Sequence, residues 1–93
     1  MASVQITCIT KAHSLGGHEH ITHVGNTSAR WSKTKEQVIH LIDTKANSFF
    51  VVDLYSGKRS EVGVVRPIAG PEPFLRTYAD STWNDNLLSL PPC

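Results

Sequence analysis

The sequence predicts an α+β domain: an antiparallel sheet of about four to five strands, in the order ββαβββ, with one helix packed on one face. Three observations lead there. Residues 33–46 carry apolar side chains at helical spacing behind a capping sequence. Two runs rich in aromatic and β-branched residues, 49–55 and 58–65, flank Ser56-Gly57 and read as a hairpin. Residues 4–10 alternate with the two-residue period of a strand.

Taken in order, Val4, Ile6 and Cys8 fall on one side of the first strand, and Gln5, Thr7 and Ile9 on the other. Residues 12–17 break it, where Gly16-Gly17 can take positive φ. A second strand is expected from about Glu19 to Val24, with Ile21 alternating with His20 and Thr22. Gly25 to Arg30 reads as a loop, followed by Trp31. Thr34-Lys35-Glu36-Gln37 fits a capping box, with Ser32 a competing cap. Val38, Leu41 and Ile42 form the apolar stripe of a helix over about Lys33 to Ala46, and Asn47 supplies the left-handed stop.

With a two-residue hairpin loop, Val51 faces Val62 and Phe49 faces Val64 on the core side. Phe50, Val52 and Leu54 then lie opposite Gly63, Glu61 and Arg59 on the other side. Pro67 ends that strand, and Gly70-Pro71-Glu72-Pro73 makes a turn. Phe74 to Tyr78 is a last strand, with Leu75 and Thr77 on one side and Phe74, Arg76 and Tyr78 on the other. Residues 80–86 read as turn and loop. Leu87, Leu88 and Leu90 form an apolar tail that docks on the domain.

Composition bounds the function. Ninety-three residues make one domain with one core, and 40% hydrophobic content is that of an ordinary globular chain. Nine Lys and Arg stand against eight Asp and Glu, for a net charge of +1. The basic residues are scattered, with only Lys58-Arg59 adjacent beside a turn, which argues against nucleic acid as a partner. No secretory signal and no apolar run of membrane-spanning length is found, so a cytoplasmic protein with no membrane partner is expected. In that compartment Cys8 and Cys93 are expected as reduced thiols; a disulfide requires the tail to dock beside the first strand.

The last third, Phe74-Leu75-Arg76-Thr77-Tyr78-Ala79-Asp80 and then Trp83-Asn84-Asp85-Asn86-Leu87-Leu88-Ser89-Leu90-Pro91-Pro92-Cys93, carries a specific pattern. It resembles the ending of a family of small bacterial and archaeal domains of unknown function, which reads Tyr-Leu-Arg-Thr, an Asp-Gly turn, Asp-Asn-Leu-Leu and Leu-Pro-x-Cys. His18-Glu19-His20-Ile21 followed by Trp31 agrees at the front. Phe74 replaces the usual Tyr, and Ser81 the usual Gly after Asp80. The resemblance implies a shared fold and no activity.

Four groups of side chains are candidates for function. His18 and His20, with His13, Glu19 and His23 nearby, share a strand face about 7 Å apart, a spacing that suits weak binding of a divalent metal. A polar strand edge is the simpler reading, and no cofactor is expected. Arg76, Asp80, Asp85 and Asn86 form a polar cluster that either pins the C-terminal loop or holds an anion. Cys93 has no neighbouring base and reads as a packed or exposed thiol, with Cys8 in the core. Trp31, Phe50, Tyr55, Tyr78 and Trp83 offer a stacking surface for single-stranded nucleic acid, but with a net charge of +1 the favoured reading is that the leucine tail covers that face. No phosphate-binding or nucleophile motif is present. The reading is a non-catalytic binding or accessory module that contacts a protein or a small ligand. Metal or anion binding at His18/His20 is the alternative, and single-stranded nucleic acid on the sheet is the third.

Overall fold

The computed structural model describes residues 2–12, 17–53, 55–68, 72–79 and 82–93. Among the described residues, eight strands and one α-helix follow in the order β1 (Ala2–Gln5), β2 (Cys8–Lys11), β3 (Ile21–Asn26), β4 (Trp31–Thr34), α1 (Lys35–Asp43), β5 (Asn47–Val52), β6 (Arg59–Val65), β7 (Phe74–Ala79) and β8 (Thr82–Asn84). The α+β class with one α-helix stands. The single antiparallel sheet does not: there are two, a five-stranded sheet ordered β1-β5-β6-β7-β8 and a three-stranded sheet ordered β2-β3-β4. β1 runs parallel to β5.

The split begins inside the expected first strand. Ile6, Cys8 and Ile9 are all buried. Ile6 and Ile9 both enter the same core cluster, whereas a straight strand would turn residues 6 and 9 to opposite faces. The chain bends instead, and the Ile6 amide donates to Phe50 O at 2.9 Å while the Thr7 amide donates to Gly25 O at 2.9 Å. Residues before the bend join the large sheet, and residues after it join the small one.

The second strand starts later than the alternation suggests. His18–His20 is a 3-10 turn, closed by His20 N donating to Gly17 O at 3.0 Å, and β3 runs on through Gly25 and Asn26. Those two were expected in a loop. Asn26 nevertheless uses its side chain as a loop residue does: it donates to Gln5 O and accepts from the Ala29 amide. The following strand, β4, is short and polar, and its alternation is masked by the helix signal that overlaps it.

The capping box forms as read. Thr34 Oγ1 accepts from the Gln37 amide, and Gln37 Oε1 accepts from the Thr34 amide. The helix ends earlier, at Asp43, and the left-handed residue is Lys45 rather than Asn47. Lys45 N donates to Ile42 O and Ala46 N to Leu41 O, the Schellman pattern, which frees Asn47 to start β5.

The hairpin also differs in register. Phe50 pairs with Glu61, Val51 with Ser60 and Val52 with Arg59, two residues from the expected alignment. The loop is longer because Asp53 folds it: its Oδ1 accepts from the Tyr55 and Ser56 amides, and Gly57 takes φ +72°. A shift of two leaves each side chain on its expected face. Phe49, Val51, Val62 and Leu75 are therefore buried together with Ile6, Ile9, Ile21, Val24, Val38 and Leu87. The helix touches both sheets. The expected pairing of Leu54, the Gly16-Gly17 break and the turn at Gly70-Pro71 lie wholly or partly outside the described residues.

The tail docks as expected, with Leu87 fully buried. It does so at a buried polar point. Thr77 Oγ1 accepts from the Leu87 amide at 3.2 Å and donates to the side-chain oxygen of Asn84. Thr77→Val keeps the shape but leaves the buried Leu87 amide without its acceptor and removes one of the two donors to Asn84 Oδ1. It is expected to cost about 1–3 kcal/mol in urea unfolding, with Thr77→Ser closer to wild type. A loss of only a few tenths would show that the hydroxyl does not hold the tail.

Candidate functional site

Two of the sequence clusters meet. Arg76 projects from β7, and its Nη2 donates to Asp85 Oδ1 at 3.1 Å while its Nε donates to Asn84 O at 3.3 Å. The 3-10 turn brings His18 to the same carboxylate, with Nε2 3.6 Å from Asp85 Oδ1. The imidazole stacks on Phe74 of β7, ring centres 6.3 Å apart. His18 is buried and its Nε2 makes no hydrogen bond.

Burial, then the Arg76 guanidinium, hold the His18 pKa below its ordinary value; Asp85 and Glu19 oppose them. Asp85 thus accepts from Arg76 and faces the His18 ring, so that the turn, β7 and the tail meet at one carboxylate.

Asn86 belongs to the adjoining network. Its Nδ2 donates to Ser60 Oγ at 2.8 Å, and Asn84 Nδ2 donates to the same oxygen at 3.2 Å. The Asn86 amide reaches Asn84 Oδ1 at 3.0 Å. Ser60, Thr77 and Asn84 were not singled out from the sequence. The available signal was a polar residue at a core position of an alternating strand, at Ser60 and again at Thr77.

The other candidates separate. His18 and His20 do not share a strand face, because they lie in the 3-10 turn; His20 Nε2 is 3.7 Å from Glu19 Oε1. His23 Nδ1 is 2.9 Å from Thr22 Oγ1. Among the described residues no three His, Cys, Asp or Glu side chains are grouped to hold a metal ion. His13 and Asp80 lie outside the described residues. The two cysteines are not free thiols: Cys8 and Cys93 form a disulfide, since residues 91–93 lie along β2. The docking that the sequence set as a condition for that bond is met.

The aromatic residues divide by face. Trp31 packs inward on Phe49, with ring centres 6.1 Å apart. Phe50, Glu61, Tyr78 and Trp83 are cross-strand partners in one row over β5, β6, β7 and β8, facing away from the core. The leucine tail does not cover them, because Leu87 is held on the Thr77 side of the sheet. The Arg59 guanidinium lies 4.0 Å from the centre of the Phe50 ring and donates to Glu61 Oε1 at 2.8 Å and to Ser3 Oγ at 3.2 Å. Tyr78 and Trp83 meet edge to face at 5.5 Å and remain 39% and 44% exposed. They close over Gly63, where an added Cβ would stand 3.0 Å from Tyr78 and 3.1 Å from Trp83.

The depressed His18 pKa has a signed consequence. Below about pH 6.5 the unfolded chain takes up a proton that the folded one refuses, so stability falls as pH drops from 6.5 to the folded pKa and then levels. In an NMR titration, His18 is expected to show a midpoint below that of a free histidine. Arg76→Gln is expected to raise it, by removing the cation and leaving Asp85 to the imidazole. A midpoint unmoved by Arg76→Gln would contradict the shared carboxylate.

No helix among the described residues is long and apolar enough to cross a membrane. No curated protein and no solved structure matches the chain significantly. A family model does match, described as "Protein of unknown function (DUF3892)", and it covers residues 5–91. That span holds the buried core, the His18–Asp85–Arg76 fastening and the aromatic row alike, and the chain belongs to this family of unknown function.

Proposed function

We propose that the chain is a small non-catalytic binding module that contacts a partner protein through the outward face of its five-stranded sheet. One observation carries the reading: Tyr78 and Trp83, both substantially exposed, are locked edge to face above the side-chain-free position of Gly63. Large aromatic rings held in one conformation lose little entropy on binding, and Trp, Tyr and Arg dominate the energetics of protein interfaces. Phe50 and Arg59 extend the same face, and a shallow depression beside them takes in Ser3, Ser48, Glu61 and Tyr78.

Charge favours a protein over single-stranded nucleic acid here. Glu61 stands in the middle of the row, between Phe50 and Tyr78, and it occupies Arg59. A phosphate backbone crossing these rings would meet a carboxylate and a cation already paired. A protein surface with its own mixed polar groups fits that pattern.

The test places a photo-crosslinking benzoylphenylalanine at Tyr78 in cells, with the same residue at Tyr55 as control. Tyr55 is fully exposed but lies on the turn beyond β5. A discrete protein adduct is expected from position 78 and not from 55. The partner so identified is expected to bind Trp83→Ala at least tenfold more weakly than the wild-type chain, the scale of a single interface hot spot. Equal adducts from both positions, or binding indifferent to Trp83→Ala, would remove the proposal.

A further inference from the structure

We propose that the Cys8–Cys93 disulfide is a redox latch, and that its reduction opens the edge of β2 without unfolding the domain. The bond joins the small sheet to a segment 85 positions away in sequence. It sits where that sheet would otherwise end. β2 pairs with β3 on one side, and on the other Pro92 lies parallel beside Ile9. Ile9 N donates to Pro91 O at 3.1 Å, and Cys93 N donates to Ile9 O at 3.0 Å. Pro91 and Pro92 have no amide hydrogen, so this short pairing cannot extend into a full ladder.

The hold on the rest of the tail is separate. Leu87 is buried and tied to Thr77, and Ser89 closes a turn on Asp85 through both its amide and its hydroxyl. Those contacts lie before residue 91 and do not involve the sulfurs. Breaking the disulfide therefore leaves Leu87 seated and releases residues 91–93. What appears is the free edge of β2 at Ile9, beside Leu90, in place of the depression that Pro92 and Cys93 close in the latched form. Such an edge accepts an extended segment by strand addition.

The two cysteines are unequally exposed. Cys8 is 3% exposed, whereas Cys93 is an exposed residue. A dithiol reductant enters at Cys93: its thiolate attacks Cys93 Sγ, the Cys8–Cys93 bond breaks, and Cys8 leaves as a thiolate that takes a proton. The second thiol of the reductant attacks the mixed disulfide, releases Cys93 as a thiol, and the reductant departs as its own disulfide. Two electrons and two protons pass to the protein. The Cys8 thiol stays against Gly25, inside the sheet.

Amide hydrogen exchange by NMR, on the whole chain with and without dithiothreitol, reads the latch. In the reduced protein the Ile9 and Cys93 amides are expected to exchange at least tenfold faster, while Val24 and Val62 change less than twofold. Cys93→Ser is expected to match the reduced protein and to ignore the reductant. Unchanged protection at Ile9 would overturn the proposal. So would loss of protection at Val24 and Val62 together with Ile9, which would make the bond a staple of the whole fold. Peptide mass mapping that finds no 8–93 bond in air-oxidised protein would overturn it as well.

Discussion

Two neighbouring amides set the architecture: Ile6 donates to one sheet and Thr7 to the other. A chain that changes sheets between adjacent residues fixes where the two sheets lie relative to each other. It also lets Ile6 and Ile9, three positions apart, enter the same core cluster, which no straight strand allows. A fully buried Ile side chain is worth about 1.5–3 kcal/mol, so two of them placed by one bend weigh heavily in so small a core. The parallel pairing of β1 with β5 follows, because the intervening small sheet and helix carry the chain back to start β5 in the direction of β1.

The C-terminal third then closes what the bend leaves open. Its fastening is polar at the centre and covalent at the end. The Thr77 hydroxyl and Asn84 satisfy the chain where it enters the core, and Asp85 draws Arg76 and His18 together outside it. The two kinds of hold act at different distances along the tail. A polar network near residue 87 keeps the domain intact while a sulfur bond near residue 93 governs one strand edge. The outward face of the large sheet is left out of all this fastening, and it carries the exposed aromatic pair.

Local chemistry was legible in the sequence. The Thr34–Gln37 capping box, the buried alternation of Phe49, Val51 and Val62, and the docking of Leu87 are each decided by residues close in sequence or by strong hydrophobicity. What was not legible depended on competition between distant partners. The 4–10 alternation looks like one strand because the bend is dictated by Phe50 and Gly25, far along the chain. The hairpin slipped by two because the Asp53 carboxylate organises a longer turn than Ser56-Gly57 suggests. Arg76, Asp85 and Asn86 were visible as a polar group, but the arrival of His18 was not, since a 3-10 turn and a strand start share the same polar pattern. The cysteine pair was readable only as a condition on where the tail would lie.

The Ile6–Thr7 switch makes the two sheets one cooperative unit. Nature supplies a reporter in each: Trp31 in β4 of the small sheet and Trp83 in β8 of the large one. Urea unfolding followed by fluorescence in the two single-tryptophan variants, Trp83→Phe and Trp31→Phe, compares them directly. After each curve is referred to the same variant's far-ultraviolet circular dichroism, coincident transitions are predicted for both reporters. A fluorescence transition at Trp31 that precedes the circular-dichroism transition of the same variant would show the small sheet opening by itself, and would contradict the account.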